Sequence, residues 1–194
     1  MSASDPRTLI VVAHPSLHGT SRANRCWTEE LERHPGEFLV HDIYEVSEQG
    51  GFTPAAVAAE QALLAAHDLV VLQFPVYWYS CPALLRAWAD AVYAFGWAYG
   101  VESARPGEPG RALAGKRMAL AVTVGDEAAN YAPDRPVGYT LDQVLAPFYA
   151  TARYLELRCE PRAFALYGCD GELSDAELLA SAAEYVAWLR ALRG

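Results

Sequence analysis

Short apolar runs alternate with longer segments of helical period along the chain, and this alternation predicts five βα units. Strands are expected at 8–13, 38–42, 69–74 and 118–123, with a weaker fifth strand near 157–165. Helices are expected over about 22–33, 53–66, 82–93 and 140–155, with a terminal helix over 174–192. Strands and helices that alternate in this way form a parallel sheet with helices on both faces.

The residues within these segments support the assignment. The 69–74 strand carries almost no polar residue, which suits a central strand covered on both faces. Ser174 is placed to cap the terminal helix. The stretch 102–115, with three Gly and two Pro, is interpreted as an exposed loop. We therefore predict one α/β domain over 1–194, a flavodoxin-like three-layer sandwich around a five-stranded parallel sheet of order 2-1-3-4-5.

Ligands of such sheets bind outside the carboxyl ends of the strands, so the loops after strands one, three and four form the candidate site. The first loop includes His14, and its Thr20 and Ser21 can cap the helix that follows. The free N–H groups and positive dipole end of that helix would suit a phosphate. An equally good interpretation makes Ser21 an ordinary helix cap and His14 a hydrogen-bonded turn residue. No Gly-x-Gly-x-x-Gly or Gly-Lys-Ser/Thr motif is present.

The second loop carries three adjacent aromatic residues, Tyr77, Trp78 and Tyr79, at the end of the central strand. They cannot all turn into one sheet face, so we expect the cluster to form a wall for a flat ligand. A core position stays open for Tyr77 or Tyr79 singly.

The third loop follows the fourth strand, at 123–131. Thr123 can offer a hydroxyl and Gly125 allows backbone to approach a ligand closely. Asp126 and Glu127 are interpreted as an exposed acidic turn rather than an acid/base pair.

Composition excludes several classes of protein. The 15 Lys and Arg against 24 Asp and Glu give a net charge of −9, which disfavours nucleic-acid binding. No apolar stretch approaches the roughly 20 residues of a membrane span, and no leader segment is recognisable, so a cytoplasmic protein is expected. The four cysteines lack Cys-x-x-Cys spacing, and His14 with His18 lacks an obvious third ligand, so neither a disulfide nor a metal site is predicted.

The chain resembles the flavodoxin-like NAD(P)H:quinone oxidoreductases, in particular the bacterial ancillary oxidoreductases of glutathione-regulated potassium-efflux systems. The most specific part of the resemblance is the block from Gln73 to Leu85 followed by Gly96-Trp-Ala-Tyr-Gly100. The other matching motifs are Ala13-His-Pro15, Ser21-x-x-Asn24, Leu113-x-Gly-Lys116 and Thr123-x-Gly125.

The resemblance implies a flavin site and an activity. Bound flavin, FMN rather than FAD by similarity to the short bacterial members, would pass hydride from NAD(P)H to a quinone or similar acceptor. Tyr131 aligns with a tyrosine that helps absorb charge during hydride transfer, which makes it the one catalytic candidate. The residues implied to bind the cofactor are His14, Ser21, Arg22, Ala23, Asn24, Val76, Tyr77, Trp78, Tyr79, Thr123, Val124, Gly125 and Asp126.

Two positions depart from the family pattern. Asp126 replaces a glycine, which adds a negative charge where backbone contacts are expected. Val137 stands about where the animal enzymes have a histidine. The resemblance also implies a homodimer with apolar groups near Trp97 and Tyr99 at the subunit boundary. Two rival interpretations are a regulatory subunit that attaches to a potassium-efflux transporter and a one-electron flavodoxin carrier.

Overall fold

A parallel sheet organises the computed structural model, which describes residues 8–101, 103–171 and 173–193. Its strands are β1 (Thr8–Val12), β2 (Phe38–Asp42), β3 (Leu69–Pro75), β4 (Arg117–Thr123), β5 (Arg158–Cys159) and β6 (Phe164–Leu166). They are ordered β2-β1-β3-β4-β5, with β6 also paired to β4, and all these pairs are parallel. The predicted order is confirmed, and a sixth strand is added.

The sixth strand arises because the predicted fifth strand is interrupted. Met118 pairs with Cys159 and Ala121 with Phe164. Between these two pairs the edge segment advances by five residues and β4 by only three. Pro161 lies in the interruption, and a proline cannot donate to a strand ladder. One continuous strand over 157–165 was therefore a wrong expectation.

Seven α-helices are described, α1 (Ala23–Glu32), α2 (Ile43–Glu48), α3 (Pro54–Ala66), α4 (Ala83–Val92), α5 (Leu141–Val144), α6 (Ala146–Tyr154) and α7 (Asp175–Arg193), together with a 3-10 helix at Ala128–Asn130. Successive strand residues point to opposite faces. Ile10 packs with Trp27 of α1 and Tyr185 of α7, whereas Leu9 packs with residues of the other helices, such as Leu64 and Trp88. The predicted three layers are thus present.

Three local expectations need correction. The helix predicted over 140–155 is broken at Leu145 into α5 and α6, because Pro147 has no N–H for the Gln143 carbonyl. Helix α2 was not predicted; the Asp42 carboxylate caps it by accepting from the Tyr44 N–H (2.8 Å).

The connection over 103–115 is not wholly exposed as expected, since Leu113 is fully buried; Glu102 lies outside the described residues. Ser174 does cap α7 through its hydroxyl, which accepts from the Glu177 N–H. No described helix has the length and apolar character needed to cross a membrane.

Candidate functional site

A cleft of about 680 Å³ opens at the carboxyl ends of β1, β3 and β4, where the three candidate loops meet. Its size falls in the range of small-molecule and cofactor sites. Every site residue named from the sequence lines it except Val124. The full lining is His14, Thr20, Ser21, Arg22, Ala23, Asn24, Pro75, Val76, Tyr77, Trp78, Tyr79, Thr123, Gly125, Asp126, Tyr131, Cys169, Asp170, Gly171, Leu173 and Leu178.

The first loop leaves the N-terminus of α1 without a side-chain cap. The cap position is Arg22, and neither Ser21 nor Thr20 accepts a hydrogen bond from the first turn, so the expectation that they cap this helix is wrong. Ser21 instead donates its backbone N–H to the Ser16 carbonyl (3.1 Å). An uncapped helix N-terminus that faces a cleft presents free N–H donors and a positive dipole end to an anion.

Arg22 and His14 are the basic side chains of the cleft. The Arg22 guanidinium donates to the Asp175 carboxylate at the start of α7 (2.7 Å). The His14 ring is buried and its Nδ1 accepts from the Ser16 N–H (3.0 Å), so the predicted hydrogen-bonded turn is present. Burial lowers the pKa of His14 below its usual value. The ring is therefore neutral at pH 7, with its proton on Nε2 as a further donor.

A buried polar network lies beneath the cleft and joins the first and third loops. The Asn24 amide donates to the Thr123 hydroxyl oxygen (2.8 Å). The Gln73 amide, from β3, donates to the Asn24 carbonyl (3.2 Å) and to the Thr28 hydroxyl oxygen (3.2 Å). Because all four side chains are buried, the relative position of α1 and β4 is fixed by hydrogen bonds that water does not weaken.

The aromatic loop is a tight turn that holds its side chains outward. Tyr77 and Ser80 exchange backbone hydrogen bonds (2.9 and 3.0 Å). Between them Trp78 and Tyr79 have φ values of 47° and 59°, the left-handed pair of a type I′ turn that usually requires Asn or Gly. Trp78 is 93% exposed, and Tyr77 and Tyr79 are about half exposed, so neither tyrosine is a core residue. Strained backbone with exposed aromatic rings is typical of a binding site.

The third loop is fastened to the loop that follows β6. Val124 is buried, and its N–H and carbonyl pair with Leu166 and Cys169, which removes it from the cleft. The Gly125 carbonyl accepts from the Asp170 N–H (3.1 Å). A Cβ on Gly125 would lie 2.8 Å from Asp170 Oδ1 and closer still to its Cγ and Oδ2. A side chain at this position would therefore require the Asp170 carboxylate to move.

Asp126 and Tyr131 lie further along the same loop. The exposed Asp126 carboxylate accepts from the Glu127 N–H (2.7 Å) and the Asn130 amide (2.6 Å), which makes it the acidic turn that was expected. Tyr131 is 9% exposed, with its ring centroid 6.5 Å from that of Tyr79. Burial is the largest cause of the raised pKa of Tyr131, and the nearby Tyr79 is the next. The hydroxyl therefore keeps its proton at neutral pH. Val137 packs against the core.

Sequence reasoning missed the loop after β6, which contributes Cys169, Asp170 and Gly171 to the cleft. The signal was available, because this strand also ends at the carboxyl edge of the sheet. Among the described residues the structure also brings His18 together with two carboxylates, Asp42 and Glu45, all ligand atoms lying within 4.8 Å of one another. This group contains His18 but not His14, so it differs from the histidine pair considered in the sequence. His18 and Glu45 are exposed, and nothing else there indicates an ion.

The fold and the cleft are those of an α/β protein with a candidate small-molecule site at the carboxyl ends of a doubly wound sheet. A family model described as the flavodoxin-like fold matches residues 6–189, and the chain belongs to that family.

Its relatives include an uncharacterized NAD(P)H oxidoreductase of Bacillus subtilis, YrkL, which is 38% identical over 95% of this chain and 98% of its own length. A glutathione-regulated potassium-efflux system ancillary protein of Cronobacter sakazakii, KefG, is 38% identical over 78% of this chain and 76% of its own. The solved structure of general stress protein 14 from Treponema denticola, in complex with FMN, superposes with a TM-score of 0.84. That protein is 40% identical, and the match covers 96% of this chain and 99% of the other.

Proposed function

We propose that this protein is an FMN-dependent NAD(P)H oxidoreductase whose acceptor is a quinone or a similar flat aromatic compound. The observation that carries the proposal is the juxtaposition of an uncapped helix N-terminus with an outward-facing aromatic turn in one cleft. The first feature suits a phosphate and the second suits a planar ring system, and FMN contains both.

The residues of the cleft divide the work of holding FMN. Ser21, Arg22, Ala23 and Asn24 surround the start of α1 and would hold the phosphate, with the neutral His14 as a further donor. The ring system would lie between the aromatic turn and the loop at 123–126. A 40% identical structure in complex with FMN supports this assignment. The same relative favours FMN over the larger FAD.

Bound FMN would supply the hydride chemistry, and the chain would supply position and electrostatics. Trp78 and Tyr79 would shield one side of the ring system and exclude water. The protonated Tyr131 hydroxyl would donate a hydrogen bond toward negative charge that develops near it. Val137 has no titratable group, so a tyrosine–histidine relay is not part of the proposal. The YrkL relationship supports NAD(P)H as the donor.

Rapid mixing of FMN-loaded protein with NADH and with NADPH tests this function. We expect loss of flavin absorbance near 450 nm with a saturable rate, followed by recovery of absorbance when a naphthoquinone is added. Flavin that stays oxidised at saturating NADH and NADPH would contradict the proposal. Accumulation of a stable one-electron form during stepwise reduction would favour the flavodoxin carrier instead.

A second candidate function is supported by the KefG relationship, namely attachment to a potassium-efflux transporter as a regulatory subunit. Co-purification of the chain with such a transporter from its own host would support it. Normal efflux activation after deletion of the gene would count against it.

We also propose a homodimer that joins through an aromatic surface made of Phe95, Tyr99 and Tyr154. Phe95 is 74% and Tyr154 69% exposed, and the Tyr99 ring lies between them at centroid distances of 5.8 and 5.5 Å. Trp97 is half-buried and packs against the core beneath. Contiguous exposed aromatic residues are typical of association surfaces. Analytical ultracentrifugation should give a dimer, and Phe95→Ser should shift it toward monomer.

A further inference from the structure

Asp170 places a negative charge on the rim of the cleft. Its backbone N–H donates to the Gly125 carbonyl, and the neighbouring Cys169 N–H donates to the Val124 carbonyl (2.9 Å). Its carboxylate lies directly over the Gly125 backbone, in space that a Cβ would fill. The loop after β6 is thus fastened to the candidate cofactor loop by backbone hydrogen bonds, which keep the exposed Asp170 side chain beside Gly125.

This charge has little compensation nearby. Among the described residues no Lys, Arg or His forms an ion pair with Asp170, and Arg22 is paired with Asp175. The second rim carboxylate, Asp126, accepts from two donors in its own turn, which partly satisfies its charge. The field of Asp170 reaches the candidate site, since it contributes, after burial, to the raised pKa of Tyr77 and, after several larger causes, to that of Tyr131.

We infer that Asp170 is a specificity-determining residue that makes the cleft discriminate against anionic acceptors in favour of neutral and cationic ones. This inference rests on the proposed function. In the proposed function an acceptor occupies the cleft that Asp170 lines together with the aromatic turn and the 123–126 loop, so its substituents would come close to the Asp170 carboxylate. A negatively charged substituent close to the Asp170 carboxylate is repelled, whereas a neutral acceptor with the same ring scaffold is not.

The test compares 1,4-naphthoquinone with its 2-sulfonate in the FMN-loaded protein, and Asp170→Asn with the unaltered chain. The measured quantity is the ratio of kcat/KM for the neutral acceptor to kcat/KM for the sulfonate, so intrinsic differences between the acceptors cancel when the two proteins are compared. We expect Asp170→Asn to lower this ratio by about threefold to tenfold, as expected for the removal of a unit charge that solvent partly screens. When a trimethylammonium-substituted naphthoquinone replaces the sulfonate, Asp170→Asn should raise the corresponding ratio of kcat/KM values.

Controls separate charge from structure. Glu184→Gln removes an equal charge from an exposed position on α7 outside the cleft, and it should leave the ratio unchanged. Should Asp170→Asn fail to fold or to hold FMN, the salt dependence of the ratio in the unaltered protein gives a second measurement. Its ratio should fall as ionic strength rises from 0.01 to 0.15 M, because salt screens an exposed charge.

Equal ratios in Asp170→Asn and the unaltered protein, or a ratio in the unaltered protein that does not change with salt, would overturn the inference while leaving the proposed activity intact. A protein that oxidises neither NADH nor NADPH with either quinone would instead refute the proposed function, and this inference with it.

Discussion

Gly125→Ala should destabilise the protein through a single contact, its collision with the Asp170 carboxylate. The added Cβ would lie 2.8 Å from Asp170 Oδ1 and closer to Cγ and Oδ2, whereas ordinary contact begins at 3.4 Å. The φ of Gly125 is not in the left-handed region, so alanine brings no backbone strain of its own. The Asp170 carboxylate is the exposed end of a flexible side chain and can turn aside, so we expect a cost of about 1 kcal/mol, the low end of the range for overpacking. In a chain of this length that corresponds to a fall in Tm of roughly 2–4 °C.

A double-mutant cycle isolates the cause. Asp170→Ala removes all three atoms that the Cβ meets, so Gly125→Ala should cost little in that background, with a coupling energy of about 1 kcal/mol. Gly36→Ala is the matched control, because its Cβ meets nothing within 4 Å and its φ is also outside the left-handed region. Differential scanning calorimetry of the apo forms gives the stabilities of the four proteins in the cycle and of the control. A Gly125→Ala penalty that is equal in both backgrounds would refute the described contact.

Three further predictions concern buried polar groups. The buried Glu60 carboxylate accepts from the Trp88 indole N–H and pairs with His41 Nε2 (both 2.8 Å). Glu60→Ala should therefore lower the free energy of unfolding, measured with urea, by about 1–3 kcal/mol for each donor left without an acceptor. Glu60→Gln should cost less, and equal losses from the two variants would contradict this prediction. Because the pKa of His14 is lowered in the fold, the unfolded chain binds more protons, so apo stability should fall as pH drops below about 6.5. His14→Gln should flatten that dependence, and an unchanged slope would contradict the assignment. Tyr131→Phe should slow flavin reduction at least about tenfold while FMN affinity changes less than about twofold, and an unchanged rate would remove Tyr131 from the proposed catalytic role.

The regular elements could be predicted because each is determined by local pattern. The apolar run of β3 and the periodic stripe of α7 appear in the structure close to their predicted bounds. The errors lie where a single residue overrides the pattern. Pro147 breaks one helix, and Pro161 lies where the edge strand is interrupted, although the apolar period continues through both.

The loops that form the candidate site could be predicted, but the contacts between residues of different loops could not. The rule that ligands bind at carboxyl ends located His14 and the aromatic turn. It could not indicate that Asp170, 45 residues beyond Gly125, would lie directly over that glycine, since this contact depends on the pairing of β6 with β4. Lys116 of the family motif is a further example, because its ammonium donates to the Ala65 and His67 carbonyls (2.6 and 3.0 Å) and so caps α3 rather than facing the cleft.

Titration of the apo-protein with FMN, followed by quenching of flavin fluorescence, tests the central claim most directly. The account predicts saturable binding of one FMN per chain. Asn24→Leu, which removes the amide that joins the first loop to Thr123, should weaken that binding at least about tenfold relative to a Glu184→Gln control. Absence of saturable binding of either FMN or FAD by correctly folded protein would contradict the account.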